Sequence, residues 1–243
     1  LGGSTECSIA NSLWTDPEGR MQEDFVGRCS GIFDAQVFQE DLSAPVIVPA
    51  LNSWVSDHTA GMIPQIIQRP FGEDAAALMV NALYRKNTWA AKFDPSDTVT
   101  RDFTRADGVA EPLDFLQHFS RSLTYLQSGS DEGVLLPYDD GRLAFFALMP
   151  RQSSGVPDFE RWLSSLTGEG LSALLSGREE TFFLRLSLPK FEQEWSGELK
   201  DALAALGLTD AFDPDLADFS LLGDDPRGYY LSQVIHAARI EVN

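Results

Sequence analysis

A chain of 243 residues with 43% hydrophobic and 23% charged residues can bury a sizeable core and is too apolar for wholesale disorder. Its 37 acidic against 18 basic residues leave a formal charge of −19, a surface that repels phosphate backbones and anionic headgroups and so argues against nucleic-acid and membrane partners. No run nears the ~18–20 apolar residues of a spanning helix, and Leu1-Gly2-Gly3 carries neither the basic nor the apolar region of a signal peptide.

Ser4–Trp14 is apolar and β-friendly and predicts a strand, followed by a turn at Asp16-Pro17-Glu18-Gly19. Met21, Phe25, Cys29, Ile32 and Phe33 recur at helical spacing over 20–36. Leu51, Trp54, Val55 and His58 do the same over Pro49–Ala60, where Gly61 closes the helix. Ala75–Tyr84 is a dense apolar run compatible with a buried strand or a short helix. Val134–Pro137 and Leu143–Met149 flank Tyr138-Asp139-Asp140-Gly141, the pattern of a hairpin with an Asp-Gly turn. Short helices are expected over Phe159–Leu166 and Leu171–Leu175. Thr181–Leu188 alternates as one strand with a buried face, and Leu199–Leu206 reads as a helix stopped by Gly207. Tyr229–Val242 alternates in places and predicts a final strand. Helices and strands are interspersed without a strict β-α-β rhythm, which points to a mixed α+β class.

The chemistry-bearing motifs of common enzymes are absent. The sequence has no GxSxG elbow, P-loop, dinucleotide glycine fingerprint or HExxH, and His58, His118 and His236 form no zinc-spaced cluster. Asp213-Pro214-Asp215 with Asp218, and Asp224-Asp225-Pro226, lack the spacing of a calcium loop and read as turns, as does Asp94-Pro95-Ser96. No cofactor or metal is expected. Cys7 and Cys29 could form one bridge, and two buried thiols are the expectation.

Several segments together resemble the serpins. Asn81-Ala82-Leu83-Tyr84 with Lys86, Trp89, Phe93-Asp94-Pro95 and Thr98 is similar to the family's third strand of the main sheet and the turn after it. Asn52-Ser53-Trp54-Val55 with Thr59 and Gly61-Met62-Ile63 resembles the helix that lies across that sheet. Leu136-Pro137-Tyr138, Leu188-Pro189-Lys190-Phe191, Leu206-Gly207-Leu208 with Asp210-Ala211-Phe212, and Ala217-Asp218-Phe219-Ser220 follow in the family's order. Ser232, Val234, His236, Ala238 and Ile240-Glu241-Val242-Asn243 match the strand that leads to the hinge.

The resemblance implies a single serpin domain over 1–243, a partial one, from a fold of three β-sheets and about nine helices. It implies a single-use inhibitor of serine or cysteine proteases, not an enzyme, monomeric when intact and extracellular. A non-inhibitory binding, carrier or chaperone role is the alternative. In the family the hinge and the reactive loop begin just beyond the position of Asn243. By resemblance Trp89 sits where the loop first enters the sheet, and Asn81 and His236 sit where the sheet must part. Either set could instead simply hold the sheet together, and for His236 a satisfied core histidine is the leading expectation. Lys190 matches a lysine that pairs with a glutamate at the position after Asn243. Arg85 stands where the family usually has Phe, Asn87 where it has Gly, and Ala237 where it has Lys, departures that bear on sheet opening.

Overall fold

A computed structural model describes residues 6–17, 20–73, 75, 77–105, 107–120, 123–129, 131–151, 156–181, 184–224 and 228–243. In chain order the first half contains β1 (Glu6–Thr15), β2 (Arg20–Met21), α1 (Glu23–Phe33), β3 (Ala35–Gln39), α2 (Ile47–His58), β4 (Ala77–Lys86), β5 (Val99–Thr104) and β6 (Ala110–Ser120). Next come β7 (Leu123–Ser128), β8 (Asp131–Pro137), β9 (Ala144–Pro150), α3 (Val156–Ser165), α4 (Gly168–Ser176), β10 (Arg178–Thr181) and β11 (Leu184–Pro189). The chain then runs through β12 (Phe191–Glu198), α5 (Lys200–Ala205), β13 (Gly223–Asp224) and β14 (Ile235–Val242). Two compact units result: a first built on Lys86–Glu192 with Glu241–Asn243, and a second on Glu6–Arg85 and Gln193–Ile240.

In the second unit β1 and β3 pair in parallel, Asn11 opposite Ala35 through Thr15 opposite Gln39. Parallel neighbours need a crossover, and α1 supplies it. β4 completes the order β3-β1-β4, so the run left open as strand or helix is a strand. The predicted stripe on α2 packs Leu51, Trp54 and Val55 against Trp14 of β1 and Val80 and Ala82 of β4 in one core cluster. Trp14 stacks on Phe38 at 4.2 Å, and Trp54 Nε1 donates to Gln36 Oε1 at 2.8 Å.

α2 begins two residues before Pro49, which the first turn tolerates because its N–H would have no intrahelical partner there. It ends where Ala60 and Gly61 adopt φ of 50° and 77°. Beyond it the loop is sewn back onto the helix. Asn52 Oδ1 accepts from the amides of Ile66 (2.9 Å) and Ile67 (3.1 Å), and its Nδ2 donates to Ile67 O at 2.9 Å. Thr59, 1% exposed, donates to Val55 O at 2.8 Å and accepts from the Ile63 amide at 3.1 Å.

The first unit holds a four-stranded antiparallel sheet, β10-β7-β8-β9, and a three-stranded one, β11-β6-β5. Leu116, Leu123, Val134, Leu136, Leu188 and Val242 form its core. The Asp-Gly hairpin is present: Gly141 has φ 64°, and Asp140 Oδ1 accepts from the amides of Arg142 and Leu143.

The predicted strand over Thr181–Leu188 keeps one antiparallel register from β10 on β7 to β11 on β6, Thr181 opposite Leu123 and Leu184 opposite Ser120. Two expectations need correction. The final strand starts at Ile235 and not at Tyr229, because the Leu231 amide goes to Ala211 O and the Val234 amide to Glu198 Oε1. The cysteines are neither bridged nor buried: Cys7 is exposed and Cys29 half-buried. Cys7 lies on β1 before its pairing with β3 begins, and α1, which carries Cys29, has no buried residue. The parts of the predicted segments at 4–5, 18–19, 76, 182–183 and 225–226 lie outside the described residues.

Candidate functional site

The resemblance-derived residues divide between the two units. Trp89, Lys190, Glu241, Val242 and Asn243 belong to the first; Asn81 and His236 belong to the second.

Trp89 follows β4 and forms an isolated antiparallel bridge with Tyr138 in the β8–β9 hairpin. The Ala90 amide donates to Pro137 O and the Asp139 amide to Thr88 O, both at 2.9 Å, so backbone bonds fix the ring. Tyr138 stacks on the indole at 5.2 Å, while Phe93 and Phe145 meet it edge-on at 5.9 and 5.7 Å. Stacked and edge-on contacts are the arrangements that the ring quadrupoles favour. Trp89 Nε1 donates to Asn243 O at 3.4 Å, and Val242, 4% exposed, enters the same cluster. The end of β14 is thereby seated against the tryptophan. Asn243 Nδ2 donates in turn to Glu241 Oε1.

Lys190 is half-buried between β11 and β12, with its amide on Asp114 O at 2.8 Å. Among the described residues its ammonium has no carboxylate in ion-pair range.

In the second unit β4 ends the β3-β1-β4 sheet and β14 pairs with β12, and among the described residues no ladder joins β4 to β14. A cavity of about 310 Å³ separates them over the first half of β4. Its walls are Ala77–Asn81 on one side and Gly228–Ile235 on the other, and Leu51 and Ile67 of the α2 segment also line it. The result is an apolar slot between the edge of β4 and the chain that leads into β14.

Asn81 lines this slot and donates Nδ2 to Asn11 Oδ1 at 2.9 Å and to Ala10 O at 3.4 Å, tying β4 to β1. His236 is exposed, with its ring 5.9 Å from Trp195. It is therefore not a core histidine. On β14 the half-buried positions are 235, 237 and 239, and the alternate ones, 236, 238 and 240, face outward.

Sequence reasoning missed Arg239. It is half-buried on the same side of β14 as Ile235, and its Nη1 donates to Met62 O at 3.0 Å. An arginine inside a β-pattern carries no sequence signal for such a contact. Among the described residues no cluster of His, Cys, Asp and Glu could hold a metal ion. The acidic segments behave as turns: Asp213 Oδ1 accepts from the Asp215 amide and Asp218 Oδ1 from the Ser220 amide. No helix among the described residues is long and apolar enough to cross a membrane.

Residues 2–243 match the profile of the family described as Serpin (serine protease inhibitor). The chain belongs to the serpin family. It is 31% identical to Serpin B10 of Sorex araneus over 196 residues, which is 79% of this chain and 48% of that protein. It is 32% identical to plasminogen activator inhibitor 1 of Neovison vison over 251 residues, 98% of this chain and 60% of that protein. Among solved structures it resembles the thermophilic serpin tengpin in the latent state, with a TM-score of 0.85 and 28% identity, covering 98% of this chain and 64% of that one. The architecture is accordingly the mixed α+β serpin fold, with several sheets and few helices in this part of it. The chain spans about half to three-fifths of the length of these two curated relatives.

Proposed function

We propose that the complete protein is a serpin-type suicide inhibitor of serine or cysteine proteases, and that this chain supplies the sheet which accepts the cleaved loop. The observation that carries this reading is the apolar cavity along the first half of β4, walled opposite by the chain leading into β14, with no ladder from β4 to β14 among the described residues. An extended segment fits such a gap because it can hydrogen-bond to the β4 edge while burying alternate side chains.

In this reading a protease cleaves a loop beyond Asn243 and stays bound to it as an acyl-enzyme. The loop then enters the sheet as a new strand. An inserted strand of ~12 residues gains about a dozen backbone hydrogen bonds at ~0.5–1.5 kcal/mol net each, and buried side chains add more. The sum, ~10 kcal/mol or more before the partly offsetting cost of ordering the loop, is comparable with the whole stability of an ordinary domain. Trp89 seats the end of the strand from which the loop departs, Asn81 exchanges its bonds to β1 as β4 shifts, and His236 rides on β14 at the parting edge. Lys190 offers an ammonium for a carboxylate just after Asn243. The partner is the target protease; the intact protein works as a monomer in an extracellular setting, without nucleic acid, membrane or cofactor.

The test is to mix the complete protein with a panel of serine and cysteine proteases and run denaturing gels. A band at the summed mass, lost when the protease nucleophile is blocked beforehand, is the expected result. Loop cleavage without any such band would overturn inhibition and leave the binding, carrier or chaperone role.

A further inference from the structure

We propose that Arg239 is a strap beside the slot, a positioning residue that holds β14 to the segment after α2 and sets how readily the sheet parts. The inference rests on the strand-accepting reading of the slot and adds what regulates it.

α2 is packed on β1 and β4 through Leu51, Trp54, Val55, Trp14, Val80 and Ala82. The loop after α2 moves with the helix, because Asn52 and Thr59 bind it at Ile63, Ile66 and Ile67. Met62 lies inside this sewn segment, directly after two residues with positive φ, so its carbonyl has a fixed direction. Against this body lies β14. Ile235 of β14 packs apolar against the α2 cluster, and Arg239 bonds Met62 O at 3.0 Å from 177 residues away. Ile235 can slide over an apolar surface, whereas a guanidinium–carbonyl bond is directional and breaks when the strand shifts by more than about an ångström. Moving β14 away from β4 stretches this bond, so its loss is part of the barrier to opening. A hydrogen bond to a charged donor, half-buried, is strong enough to change an opening rate by roughly tenfold to a hundredfold.

The experiment compares the chain with R239M, which keeps the aliphatic stem, and with R239K, which keeps one donor. Two readouts are taken: amide hydrogen exchange over 59–67 and 235–240, and uptake of a fluorescein-labelled dodecapeptide of alternating Thr and Ala. The expected result is exchange over both stretches about tenfold faster in R239M, with the middle of α2 unchanged, a matching gain in peptide uptake, and partial restoration in R239K. Unchanged exchange over 59–67 and 235–240 in R239M would overturn the strap whatever the peptide does. If the unsubstituted chain takes up no peptide while exchange still rises in R239M, the strap stands and the strand-accepting reading of the slot fails. Should R239M lose the fold, T59V is the second variant: Arg239 stays, but the Met62 segment loses its anchor. Faster exchange at 235–240 there supports the strap, and no change there overturns it.

Discussion

Trp89 has one ring stacked on it, two edge-on, and its N–H on the last carbonyl of the chain. Trp89→Ala removes all of these contacts and should cost about 3 kcal/mol in urea unfolding, while Trp89→Phe, which loses the donor and part of the ring surface but keeps an aromatic face, should cost less, about 1–2 kcal/mol. A second residue-scale device recurs three times in the sequence as Asp-x-Ser: Asp41-Leu42-Ser43, Asp94-Pro95-Ser96 and Asp218-Phe219-Ser220. In each, the serine hydroxyl and then its amide hold the carboxyl below the usual carboxylate value. A depressed folded value means that the contribution to stability is present above the unfolded carboxylate pKa and is lost as pH falls through the folded one. Carboxyl titration by NMR should find Asp41, Asp94 and Asp218 midpoints below ~3.9, and Ser43→Ala, Ser96→Ala and Ser220→Ala should each bring the neighbouring aspartate back up. These turns were legible because Asp and Ser side chains act on amides two residues away, within the reach of sequence. Arg239 was not, because its partner lies 177 residues off and any carbonyl would serve.

Among the elements, α2 and its exit loop behave as one body because a single asparagine accepts two amides and donates to one carbonyl. Asn52→Ala strands the Ile66 and Ile67 amides. The expected outcome is a loss of about 2 kcal/mol in denaturant stability with faster exchange confined first to 59–67. In the first unit, β8 approaches β9 so closely at Gly133 that an added Cβ would collide with the Ala147 carbonyl. Gly133→Ala should therefore weaken the hairpin by about 1–3 kcal/mol, visible as a lower urea midpoint. The helices and the hairpin could be read in advance, since helical spacing and an Asp-Gly turn are local signals. The late start of β14 could not, because it is decided by amides that Ala211 and Glu198 draw away from the ladder.

For the molecule as a whole, a formal charge of −19 and an isoelectric point near 4.3 mean that self-repulsion keeps copies apart at neutral pH. Light scattering should report association rising as pH falls toward 4.3, where exposed apolar side chains such as Met79 and Leu83 on β4 are no longer shielded by charge. The family was readable from motifs in register, whereas the slot was not, because a cavity between β4 and the approach to β14 joins residues from opposite ends of the chain. That same division of the chain orders assembly in time. The first unit is drawn almost wholly from 86–192, while the second closes over an interval of roughly a hundred residues, a long search for any chain. On a ribosome the 86–192 stretch can collapse as it emerges, leaving β1 and β4 to wait until Ile235 has been translated. Until then they present unclosed apolar edges, the kind of surface on which nascent chains associate.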